Sequence, residues 1–232
     1  MEEDCKMKAI KKGWMSFLCI IVITSFAPAA FGAGNIYTAP AVTLDGNYNL
    51  LVIWGTGDKT KPLSKTGVDR IFVVKDTDRE KKYTLSDLKD ITNSTYADTA
   101  DGHGWYISLN ETLGEKVLGD AKVADKKIFM TSYIPASGTD SCNKAGKSRL
   151  YILNILTGEG AYTDGSRYKK HEEGMSTTVS ISDNPDTKKK DIYMPFSEEL
   201  NDKSHTLRIT DPFLSGGMGD KNLIYWRDMR IQ

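Results

Sequence analysis

The sequence predicts an all-β fold of short antiparallel strands behind a cleaved signal peptide, and three observations predict it. From Ile36 onward, short β-branched and aromatic runs are separated by Gly, Asp, Asn and Ser clusters, which is how successive hairpins read. Helical periodicity is nearly absent. The N-terminus has the three-part layout of an export signal. Strands at such regular spacing build a sandwich, a barrel or propeller blades. A recurrence favours blades: Ile71-Phe-Val-Val-Lys-Asp76 and Leu150-Tyr-Ile-Leu-Asn154, the latter followed by Thr157-Gly158, are both apolar strands ending in a turn that returns the chain.

Lys8, Lys11 and Lys12 form a basic start, Trp14 to Phe26 runs apolar, and small residues follow. The apolar run is shorter than the ~20 residues of a membrane-spanning helix, so it reads as a leader that is removed. Cleavage follows either Gly32, with Ala30 three positions from the cut bond, or Ala29, with Ala27 in that place. Met7 is the more natural start, because Glu2, Glu3 and Asp4 are out of place in a basic leader. Cys19 follows the bulky Leu18, where a lipidation signal wants a small residue. The expected division is a signal peptide over 1–33 and a single propeller-like β domain over 34–232. Lys plus Arg and Asp plus Glu are both 31 in the full sequence, so no global field steers the chain to nucleic acid or an anionic membrane. Loss of the leader removes Cys5 and Cys19 and leaves Cys142 alone. No internal disulfide then forms; Cys142 is either buried and inert or free to pair with a partner.

Along the mature chain the expected strands are Ala41 to Leu44, Leu50 to Trp54, Arg70 to Lys75, Gly104 to Leu109, Glu115 to Val123, Lys127 to Tyr133, Arg149 to Leu156, Thr177 to Ser182, Asp191 to Pro195, Thr206 to Thr210 and Asn222 to Trp226. Asp45-Gly46-Asn47 suits a hairpin turn that needs positive φ, and Ala124-Asp125-Lys126 joins the strands on either side of it. One short helix is expected, Leu85 to Ile91, with Ser86 capping Asp87 to Asp90. Ser137 to Lys147 and Thr163 to Met175 read as long surface excursions, and Ser182 to Lys190 as a solvated hairpin tip.

Motifs for chemistry are weak throughout. Asp45, Asn47 and Asn49 have the first spacings of a calcium loop, but Leu50 and Thr56 stand where it needs glycine and glutamate, which leaves a hairpin turn. Gly55-Thr-Gly57 lacks the Lys-Ser/Thr pair and following helix of a phosphate loop and reads as a strand-ending turn. His103, His171 and His205 are far apart in sequence, with no second ligand at metal spacing. There is no Gly-x-Ser-x-Gly elbow and no Ser/His/Asp set; Glu172, Glu173, Glu198 and Glu199 lie in polar runs and read as solvated. Asn93-Ser-Thr95 and Asn110-Glu-Thr112 fit the glycosylation sequon and act as turn residues in a bacterium. Trp54, Trp105, Tyr106, Tyr133, Tyr151 and Trp226 fall in expected strands, where core packing accounts for them. No catalytic, cofactor-binding or metal-binding residue is therefore assigned, no cofactor is expected, and the chain is not expected to be an enzyme.

One ordered series of segments stands out: Trp105-Tyr-Ile-Ser-Leu109, Gly114-Glu115-Lys-Val-Leu118, Ile128-Phe-Met-Thr-Ser-Tyr-Ile-Pro135, then Cys142, Gly146, Ser148 and Leu150 to Gly158. It resembles the C-terminal β-propeller of the PilC/PilY family of type IV pilus assembly and tip-adhesin proteins. Val52-Ile-Trp-Gly-Thr-Gly-Asp58 resembles the strand and glycine turn that open a blade in that family, and Ile224-Tyr-Trp-Arg-Asp228 its C-terminal strand. Family members are much longer, with a large N-terminal region and a calcium-binding loop that have no counterpart here. At ~40 to 45 residues per blade the mature chain suffices for about four blades, so the propeller is partial or modified: completed by another chain, or rearranged and closed. The resemblance implies a noncatalytic exported component of the pilus system, in the periplasm, at the outer-membrane surface or at the pilus tip, acting in assembly or adhesion. Its expected partners are pilus components, such as minor pilins or another propeller chain, and a host or surface ligand, without nucleic acid or a permanent membrane anchor. The strand edges expected to meet a partner by β-augmentation are Ala41 to Trp54 and Asn222 to Ile231. The alternative is a periplasmic ligand-binding or quinoprotein-like propeller, including an enzyme of that type.

Overall fold

The computed structural model describes residues 35–210, apart from 79, 98, 100, 101, 137–144, 172, 173, 187, 188, 198, 199 and 201–203. The expected signal peptide, Cys142, most of the Ser137–Lys147 excursion and the strand expected at Asn222–Trp226 lie outside these residues.

Strands β1 (Ala41–Leu44), β2 (Leu50–Gly55), β3 (Arg70–Asp76), β4 (Lys89–Asp90) and β5 (Gly104–Ser108) form a first sheet in the order β1-β2-β3-β5-β4. All its pairs are antiparallel except β4 with β5. The β1–β2 loop closes because the Asp45 carbonyl accepts the Tyr48 N–H at 3.2 Å, while the Asp45 carboxylate accepts the N–H groups of Asn47 and Asn49 at 2.8 Å each. The residue that takes positive φ is Tyr48 (φ 64°), not Gly46 as the sequence suggests: the side-chain bonds of Asp45 carry the chain through an ordinary turn first, and the left-handed step comes at its end.

Strands β6 (Lys116–Val117), β7 (Lys122–Ala124), β8 (Lys127–Ile134), β9 (Lys147–Asn154) and β10 (Tyr168–His171) form the second sheet, order β10-β9-β8 with β6 and β7 end to end along the other edge of β8. The single strand expected over Glu115 to Val123 is therefore two pieces, interrupted at Leu118 to Ala121. At the tip of β7–β8, Asp125 (φ 48°) and Lys126 (φ 58°) make a two-residue turn of the mirror-image type that matches strand twist. Strands β11 (Ser180–Asp183), β12 (Lys190–Pro195) and β13 (Thr206–Thr210) form a third antiparallel sheet. The described residues are thus all-β, in three sheets of which none closes on itself.

The sheets stack face to face. Leu51, Ile53, Ile71, Val73, Trp105 and Ile107 of the first pack against Val117, Ile128, Met130, Tyr151 and Leu153 of the second. The opposite face of the second sheet, through Phe129, Leu150 and Ile152, packs against Ile192 and Met194 of the third. Burial on both faces explains why β2, β3, β8 and β9 read as continuous apolar runs rather than as alternating ones. The outer face of the first sheet, Val52, Trp54, Phe72 and Val74, is covered by Tyr83 and Leu88 from the connection between β3 and β5; Trp54 and Phe72 stack there at 5.0 Å between ring centroids. Each such side chain contributes ~1.5 to 3 kcal/mol by leaving water.

Two elements differ from expectation. The helix expected over Leu85–Ile91 is a single 3-10 turn, Leu85–Asp87, and the residues after it form β4. Thr84, not Ser86, starts the turn: its N–H donates to Asp87 Oδ2 at 2.8 Å. Tertiary pairing with Trp105 and Tyr106 then draws Lys89 and Asp90 into extended backbone. The polar run Thr163–Met175 is not wholly an excursion, because its middle pairs with β9 as β10, Tyr168 opposite Tyr151.

Candidate functional site

Among the described residues β1 is the terminal strand of its sheet. Asp45 and Asn49 are a hydrogen-bonded pair, through Asp45 N–H to the Asn49 carbonyl at 3.0 Å. Antiparallel alternation then turns the main-chain groups of Val42 and Leu44 away from β2, toward the open side. Their side chains are exposed as well, at 44% and 43%, and Ile36, Tyr37 and Tyr48 add apolar surface in flanking segments. Among the described residues this edge combines main-chain groups that pair with no strand and apolar side chains, the chemistry a partner strand uses. Of the edges expected from sequence, Ala41 to Trp54 narrows to β1: β2 is paired on both sides and Trp54 is buried. Asn222–Ile231 lies outside the described residues.

A cavity of about 300 Å³ opens beside the β2–β3 connection. Asp58, Asp69, Ser64, Thr66 and Lys116 contribute to its lining. Lys116 is only 2% exposed, and its ammonium donates to the carbonyls of Pro62 and Ser64. Burial lowers its pKa while the charges of Asp69 and Asp58 oppose that change. Burial likewise raises the Asp69 carboxyl, against a hydrogen bond from Thr56 at 2.9 Å. The cavity is lined by a polar set of donors and acceptors in which the carboxylates of Asp58 and Asp69 are matched by the ammonium groups of Lys61 and Lys116.

A second polar cluster is satisfied at Glu115, while the buried Nε of Arg149 has no hydrogen-bond partner among the described residues. Glu115, 1% exposed, accepts from Arg149 at 2.6 Å, Ser132 at 2.6 Å and Tyr151 at 2.9 Å. Burial pushes its carboxyl above the ordinary range, and the Ser132, Arg149 and Tyr151 contacts pull it back. Arg149 also reaches Thr112 and Glu111 at 3.2 Å each and lies 4.1 Å from the Tyr168 ring centre. This cluster is not legible in the sequence, because its members are spread over Glu111 to Tyr168 and meet only when the second sheet forms. The one local signal is that each charge stands at the start of a short apolar stretch, Glu115 ahead of Val117-Leu118 and Arg149 ahead of Leu150 to Leu153.

The histidines stand apart: Lys81 lies 2.8 Å from His103 Nε2, His171 packs on the Phe196 ring, and His205 lends its carbonyl to Phe196 N–H. Among the described residues no group of three His, Cys, Asp or Glu side chains is placed to hold a metal. The Asp45 carboxylate serves its own turn and faces Lys75 at 3.8 Å. Gly55 ends β2 as expected, and its lack of a side chain has a packing reason: a Cβ there would lie 2.4 Å from Val117 Cβ in the next sheet. No helix among the described residues is long and apolar enough to cross a membrane. No protein-family model matches the sequence, and comparison with curated proteins and with solved structures returns no match.

Proposed function

We propose that the chain is a noncatalytic exported component of the type IV pilus system, acting in pilus assembly or at the pilus tip in adhesion. On this reading the stacked antiparallel sheets are blades of an open propeller, and the chain works by presenting an edge rather than by chemistry. The observation that carries it is β1, whose Val42 and Leu44 offer both main-chain bonds and apolar side chains to an incoming strand. Support also comes from the ordered run Trp105 to Gly158, in which the segments that resemble the pilus family fall on β5, β6, β8 and β9. The partner is then a pilus component, a minor pilin or another propeller chain, that supplies an extended segment.

The test is to isolate residues 34–232 alone and from the native envelope, comparing mass by light scattering and neighbours by crosslinking and mass spectrometry. Capture of minor pilins or a second propeller chain, lost in a Val42→Glu/Leu44→Glu variant that remains folded, is the expected result. A stable lone monomer without pilus partners overturns it. The cavity lined by Asp58, Asp69 and Lys116 favours the second reading in that event, a periplasmic ligand-binding or quinoprotein-like propeller.

A further inference from the structure

The chain between β2 and β3, residues 56–69, contains turns and bends but no strand or helix, and it far exceeds the roughly two to five residues with which a hairpin closes. Connections of this kind are characteristically binding loops. This one is braced from within. The Thr60 N–H and hydroxyl both donate to Asp58 Oδ1, at 2.8 and 2.6 Å, and the Ser64 N–H reaches the Lys61 carbonyl at 3.1 Å. At its ends the Thr56 hydroxyl donates to Asp69 Oδ1 and accepts from the Arg70 N–H, at 2.9 Å each. The second sheet pins it from without. Lys116 of β6 donates to the Pro62 and Ser64 carbonyls, and the chain passes so close at Gly114 that a Cβ there would lie 2.7 Å from Lys65 Cα.

The result is the cavity of about 300 Å³ already described, at the small end of the range for small-molecule sites. Its walls hold hydrogen-bonding capacity in reserve. An ammonium has three donors, and Lys116 spends two on the loop carbonyls. Asp58 and Asp69 are each engaged through Oδ1, and neither Oδ2 receives a hydrogen bond among the described residues. We propose that this cavity binds a neutral polyhydroxyl ligand, a single sugar ring, whose hydroxyls accept from Lys116 and donate to Asp58 and Asp69.

Charge and chemistry favour this class. With Lys61 and Lys116 set against Asp58 and Asp69, an ionic ligand would meet a like charge as soon as it met an opposite one. A hydroxyl both donates and accepts, so adjacent ring hydroxyls can bridge an ammonium to a carboxylate without adding charge. Among the described residues the lining has no aromatic ring, and Val68 is its one apolar side chain, which offers little to an apolar ligand. The inference rests on the cavity and the ligand-binding reading, and it is independent of the β1 edge.

The test uses the whole chain as purified from expressing cells, titrated with glucose, galactose, mannose and N-acetylglucosamine and followed by amide chemical shifts. At least one sugar should shift the amides of Asp58–Asp69 and Lys116, with an affinity insensitive to salt, as befits a neutral ligand. Asp69→Asn keeps an acceptor for the Thr56 hydroxyl but loses the carboxylate, and should weaken binding about tenfold. Val68→Glu, at a position 40% exposed, should abolish it without touching the core, and serves if Asp69→Asn does not fold. Val42→Glu/Leu44→Glu should leave it unchanged. No binding by any of the four sugars, shifts away from these residues, or full affinity in Asp69→Asn and Val68→Glu overturns the proposal. Glycine or inorganic phosphate binding here in place of the sugars also overturns it, while leaving a ligand-binding cavity.

Discussion

Burying the Glu115 carboxylate costs free energy, and three donors hold it in place. Removing its charge leaves Arg149, which cannot give up its proton, buried without its main counter-charge. Glu115→Gln should therefore destabilise the protein by ~3 kcal/mol, while Glu115→Gln/Arg149→Met should cost less than the single change. Urea unfolding midpoints of the four proteins of the cycle measure this, and additive losses would contradict it. Asp87 makes a milder case. Hydrogen bonds from the Thr84 hydroxyl and N–H, with Lys81 at 3.2 Å, lower its pKa from 3.8 to about 2. A carboxyl depressed in the folded state adds stability above its unfolded pKa and loses it as pH falls. The contribution should be constant above about pH 5 and fade between there and about pH 2. Asp87→Asn should flatten that part of the acid stability profile, most visibly in the exchange of amides around Thr84–Leu88; an unchanged profile would remove Asp87 from the account.

At the level of strands and turns, much was legible because local chemistry and tertiary context agreed. β1 and β13 match the sequence expectation at both ends, and β2, β3, β5, β8 and β12 match within a residue. The Asp125-Lys126 turn followed from residue type and the flanking apolar runs. β10 was missed because Tyr168-Lys-Lys-His171 is polar; an edge strand buries little of itself, and only its partner β9 reveals it. β4 was missed because Lys89 and Asp90 are extended only through pairing with β5. The β6–β7 break was likewise invisible, since Leu118 and Ala121 are as apolar as a strand and are buried without being one. Gly55 and Gly57 show how element contacts act back on sequence. The Val117 N–H reaches the Thr56 carbonyl at 2.9 Å, which brings the end of β2 against β6 with no room for a methyl group. Gly55→Ala should cost ~2 to 3 kcal/mol through overpacking, whereas Gly46→Ala, with open space around it and no positive φ, should cost far less. Thermal denaturation of the two variants separates these outcomes, and equal losses would speak against close sheet approach as the reason for Gly55.

For the whole molecule, the sequence carried the all-β class and the succession of antiparallel units, because patterning reports burial. It carried little of the candidate site. The β1 edge was expected within a longer span, Ala41 to Trp54, because an apolar run alone does not say which strand is terminal. The cavity beside the β2–β3 connection was not foreseen, because Asp58 and Asp69 are ordinary loop acids until Lys116 is brought up from another sheet. Among the described residues the first sheet uses 41–108, the second 116–171 and the third 180–210, with no strand lent to a sheet outside its own stretch. Each of these hydrogen-bonded ladders can then form from chain already delivered, so a polypeptide appearing N-terminus first acquires these layers in the order in which they emerge, each new layer nucleating on the apolar face of the last.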